Sequence, residues 1–92
     1  MTELINITKS NIKGKKYTAT FKPDKKIHFG ATGYTDYTIG ATKQQRDNYR
    51  ARHAKDPINK GQTAGALSYY VLWGNSNDIN KNIKEYKKRF NY

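Results

Sequence analysis

Between Lys15 and Phe29 the chain alternates twice, with a proline turn between the two passes. In KKYTATFK, residues 15–22, Tyr17, Ala19 and Phe21 fall on one side of an extended chain. Lys16, Thr18, Thr20 and Lys22 fall on the other. That is the two-residue period of a half-buried strand. Pro23-Asp24 supplies turn chemistry, and Ile27 and Phe29 resume the alternation in KKIHF. A segment patterned this way has one good solution, a β-hairpin with one face buried, so other parts of the chain must supply the cover.

The best cover is the stretch from Ala64 to Trp73, apolar nearly all round through Leu67, Tyr70, Val71, Leu72 and Trp73. Thr63 can cap it and Gly74 can close it, which predicts a central helix. Two more helices are predicted. One runs from about Lys43 to Ala54, capped by Thr42 and ended by Pro57. The other starts at Ser76 or Asn77 with Asp78 in its first turn, and places Ile79, Ile83, Tyr86 and Phe90 on one face. Leu4 to Thr8 has a strand pattern with Ile5 and Ile7 on one side; residues 1–12 can also be read as a loosely ordered arm. Glycines 30, 33 and 40 suggest turns around a short strand at Tyr37 to Ile39. The expected fold is α+β: a small antiparallel sheet, the hairpin plus one or two short strands, packed against three helices. Its core should be Leu67, Tyr70, Val71, Leu72 and Trp73 against Tyr17, Phe21, Ile27 and Phe29.

With 92 residues the chain makes one domain, 1–92. Its hydrophobic content of 35 % is lean, but 13 % aromatic residues offset that, since each ring removes much apolar area from water. With no cysteine there is no disulfide framework, thiolate metal site or cysteine chemistry. MTELINITKS lacks a basic leader followed by an apolar run, so no secretory signal is expected. No apolar run approaches the roughly 18 residues of a transmembrane helix. His28 and His53 are the two histidines, and neither sits in a catalytic motif. A site built from His28, Asp36 and Arg46 would need a metal cluster or a positioned base that the spacing does not supply. The expectation is therefore a protein that is not an enzyme, with no catalytic residue, metal or cofactor.

Eighteen Lys and Arg against seven Asp and Glu give a net charge of +11. Solubility asks for a net charge of only about 2 to 8, and the excess self-repulsion is most simply explained by a negatively charged partner. Nucleic acid, double-stranded DNA foremost, is the expected partner, with an acidic protein surface as the alternative. Three arginines crowd into RDNYRARH, residues 46–53. Arg46 and Arg50 are four apart and project from one side of a helix, where their planar forks suit phosphate oxygens. Those two arginines can equally be structural, bonding a carboxylate or carbonyl while their stems cover the core. The predicted contacts are Arg46, Arg50 and Arg52 as directed donors, with Lys15, Lys16, Lys25, Lys26, Lys81, Lys84 and Lys88 as a diffuse field that carries no base readout. Tyr34 and Tyr37 are either stacking platforms for bases or core and rim residues.

The succession KKIHFGATGYTDYTIG, RDNYRARH, AGALSYYVLWG and a basic helix ending in RF resembles a family of small basic proteins of large DNA viruses of algae and amoebae, a domain of unknown function. The resemblance covers about Lys15 to Phe90. It implies a viral origin and one compact domain, without catalytic residues or an established activity. It favours a genome-associated or packaging role in the virion or the infected cell. The alternatives are a structural virion component, or a module that binds a host factor, using the basic face.

Overall fold

The computed structural model describes residues 3–55 and 58–92. The order is β1 (Leu4–Lys9), β2 (Lys15–Phe21), β3 (Lys25–Ala31), a 3-10 turn (Tyr37–Ile39), α1 (Lys43–His53), α2 (Ala64–Leu67) running into a π-helical turn (Ser68–Leu72), and α3 (Ile79–Phe90). The strands form one antiparallel sheet in the order β1-β2-β3. This is a small α+β fold of the expected type.

The hairpin is where the alternation puts it, with Tyr17 opposite Phe29, Ala19 opposite Ile27 and Phe21 opposite Lys25. A third strand lies where the Leu4 to Thr8 pattern predicts one. Leu4–Lys9 pairs antiparallel with β2. Tyr37–Ile39 is not a strand, because Asp36 takes over the local donors: its carboxylate accepts the Thr38 N–H at 2.8 Å, and its carbonyl accepts those of Ile39 and Ala41. Backbone groups bonded so locally are lost to a ladder. In β1 the register slips between Leu4 and Asn6. That bulge turns Ile5 outward, 48 % exposed, and puts Leu4 in the core instead. The expectation that Ile5 and Ile7 share one face is therefore corrected: Ile7 packs against the core and Ile5 does not.

The core joins Leu4, Ala19, Phe21 and Phe29 of the sheet to Leu67, Val71 and Leu72 of the central helix and Tyr86 of α3. Tyr86 is fully buried, whereas Trp73, expected at the centre, is half-buried at the rim and stacks on Tyr49, centroids 4.5 Å apart. The central helix is not uniformly α. The Trp73 N–H reaches back to the Ser68 carbonyl at 3.0 Å, five residues away, which widens the last turn. α3 begins one turn later than at Ser76, with Asp78 as its cap accepting the Asn80 N–H. The α1 cap is as expected: Thr42 and Gln45 bond each other's backbone reciprocally. Pro57, the expected stop, lies outside the described residues. Buried Asn82 holds the connection into α3, its amide donating to the Val71 and Ser76 carbonyls at 2.9 and 2.7 Å.

Candidate nucleic-acid interface

Asp36 anchors the loop that follows β3. It is 1 % exposed, and its carboxylate accepts from the Lys16 ammonium at 2.8 Å, with the lysine side chain 13 % exposed. Lys16 thus neutralises a buried carboxylate. Thr32 donates to the Gly14 carbonyl at 3.2 Å, tying the same loop to the β1–β2 turn. Gly33 adopts φ +84°, a left-handed value suited to glycine. The short span from Gly33 to Thr35 is held at both ends, and it presents Tyr34 at 73 % exposure.

Two depressions meet at Tyr34. One, of about 630 Å³, is bordered by Lys9, Lys15, Tyr17 and Ile39. The other, of about 510 Å³, runs from Lys15 past Tyr34 to Arg52 and His53 on α1, with Trp73 and Leu72 beneath. Both include Lys15, Lys16, Tyr34 and Thr35, so they adjoin along these residues as a groove in two parts, with Tyr34 on the shared border. Lys9, Lys15 and Arg52 are exposed there. Lys9 reaches the groove because it lies opposite Tyr17 in the sheet, beside the turn that carries Lys15.

Arg46 and Arg50 are engaged elsewhere. Arg50 donates to the Trp73 carbonyl at 2.8 Å and lies over the Tyr69 ring at 4.3 Å. Arg46 donates to the Asn75 carbonyl at 3.3 Å and to Asp47 at 2.9 Å, and sits 5.2 Å from the Tyr37 ring centroid. Arg50 also borders a smaller cavity of about 470 Å³ together with Lys88, Arg89 and Glu85. The structure therefore brings Lys15, Lys16 and Arg52 together, and Arg50 with Lys88. Lys25, Lys26, Lys81 and Lys84 border neither place. Lys25 and Lys26 are at the Pro23 end of the hairpin, where Lys25 donates to Gln62 at 3.1 Å. Lys81 and Lys84 are exposed on α3. Sequence reasoning missed Lys9, which follows the Leu4 to Thr8 pattern and is the last residue of β1.

His28, Asp36 and Arg46 do not meet. His28 Nδ1 lies 2.7 Å from the Thr18 hydroxyl and 3.3 Å from that of Ser10, while the other two have the partners given above. Among the described residues no three His, Asp or Glu side chains converge as a metal cluster would. None of the described helices is long and apolar enough to cross a membrane.

No solved structure matches the chain. An uncharacterized protein of Acanthamoeba polyphaga mimivirus is 32 % identical over 80 residues, covering 75 % of this chain and 80 % of the relative. A family model matches residues 5–53, the segment that holds the sheet, the Tyr34 loop and α1. On that match, which spans more than half of the sequence, this chain belongs to the family of unknown function DUF5754.

Proposed function

We propose that the protein is a non-enzymatic nucleic-acid-binding protein, a genome-associated or packaging accessory that contacts phosphates without reading sequence. The observation that carries this is the convergence of exposed Lys9, Lys15 and Arg52, distant in the chain, on one groove. Four of the carboxylates are engaged with other groups: Glu3 pairs with Lys22, Asp36 with Lys16, and Asp47 with Arg46 and Lys43, while Asp78 caps α3. Exposed Lys9, Lys15 and Arg52 are left to meet a polyanion, and lysine ammoniums read charge rather than base identity.

Fluorescence anisotropy with unrelated oligonucleotides across a salt series tests the proposal. Affinity should be similar for all sequences, and its logarithm should fall against log salt with a slope of roughly −3 to −6. Lys15→Gln and Arg52→Gln should each make that slope shallower by about one unit. A salt-insensitive complex, or no complex at low salt, would falsify the proposal.

A further inference from the structure

We infer that the groove takes an unpaired strand, DNA or RNA, with one base stacked on Tyr34; this rests on the function proposed above. A tyrosine exposed to 73 % adds nothing to the core, although the chain is short of apolar residues. Its loop is nevertheless fixed. The Thr32–Gly14 bond ties one end to the β1–β2 turn, and buried Asp36 with Lys16 ties the other to β2. A ring displayed on a fixed base loses little freedom when something stacks on it, which makes it a good platform.

The surroundings say what would stack. Tyr34 stands between the two depressions, with Lys9 on one side, Arg52 on the other and Lys15 lining both. A flexible strand laid along this path keeps phosphates near cations at both ends and brings a base over the ring between them. Ile39, 57 % exposed in the Lys9 depression, offers apolar contact for a neighbouring sugar or base edge. A duplex cannot use the same arrangement, because its bases are already stacked and paired and reach a protein ring only after flipping out. An acidic protein surface would use the cations and leave the ring idle. Aromatic rings alternating with cations along a groove are how single strands are held without sequence preference.

The test compares labelled oligothymidylate and oligouridylate of about 12 nucleotides, a typical site size, with a hairpin duplex, against the parent, Tyr34→Ala and Tyr34→Phe. The parent should bind both single strands more tightly than the duplex. Tyr34→Ala should weaken single-strand binding by roughly 5- to 150-fold, the loss expected for one stacked base, and leave duplex binding as it was. Tyr34→Phe, which keeps the ring face, should bind as the parent does. In the parent, ultraviolet cross-linking to iodouridine-substituted strands should attach a nucleotide to Tyr34. A preference for one of the two sugars with the same Tyr34 dependence supports the inference and identifies the strand type. Tight duplex binding with single-strand affinity indifferent to Tyr34→Ala, or cross-links confined to other tyrosines, overturns the stacking and leaves the proposed function standing. Absence of binding to every nucleic acid overturns both.

Discussion

Four residues apart on α1, Arg46 and Arg50 turn their guanidinium groups toward the same neighbour, the chain just past the π-helical turn. Carbonyls at the end of a helix lack intrahelical donors, and a cation there both bonds them and complements the helix dipole. The ring beneath each guanidinium adds cation–π attraction. The Arg46→Gln, Arg50→Gln double variant should therefore lose about 2 to 4 kcal/mol of stability, seen as a lower urea midpoint. Arg52→Gln should unfold with the parent and lose affinity instead. A double variant as stable as the parent would show that these carbonyl bonds do not hold the helix end. The common side of the two arginines was legible from their spacing. Their targets were not: Gly74 marks the helix end, but no local pattern says that α1 packs beside the Trp73 and Asn75 carbonyls, more than twenty residues on.

Among the elements, period proved reliable and local hydrogen bonding did not show in the pattern. The hairpin and the apolar face of α3 followed directly from alternation and from the recurrence of Ile79, Ile83, Tyr86 and Phe90. Tyr37–Ile39 went the other way because one aspartate bonded its own loop, and β1 changed faces through a single bulged residue. In α3 the same face that the spacing revealed carries a polar tip into the core: the Tyr86 hydroxyl donates to the Gly61 carbonyl. Burial pushes that hydroxyl well above the usual tyrosine range. The folded chain thus keeps a proton that the unfolded chain gives up near pH 10, so stability is complete below that pH and falls as pH rises beyond it. Tyr86→Phe should cost about 1 kcal/mol at neutral pH, through the carbonyl left without its donor, and should flatten the alkaline decline. Urea midpoints measured from neutral to strongly alkaline pH check this. Equal alkaline slopes in parent and variant would place the sensitivity in another group, Tyr92 being the next, since burial raises it too.

Across the whole molecule, the sheet has two differently furnished ends. At one, the Gly14 turn, the Lys9 and Lys15 side chains and the Tyr34 loop gather. At the other, the Leu4 N–H donates to the Tyr92 carbonyl at 3.3 Å, beside Phe21 and the Pro23 turn. The start of β1 and Tyr92, just past α3, therefore lie side by side, a strand length away from the groove. That adjacency means the backbone path can be cut and rejoined without redrawing the fold. A circular permutant with residues 1 and 92 bridged by a short glycine-rich linker, and new ends between exposed Asn59 and Lys60, should keep the parent's near-ultraviolet circular dichroism and its oligonucleotide affinity. A permutant without fixed tertiary structure would show that the order of synthesis, rather than the closed set of contacts, holds the sheet to its helices. In the permuted chain, reporter groups could be attached at either the old junction or the new ends, giving two independent handles from which to watch a strand enter the groove.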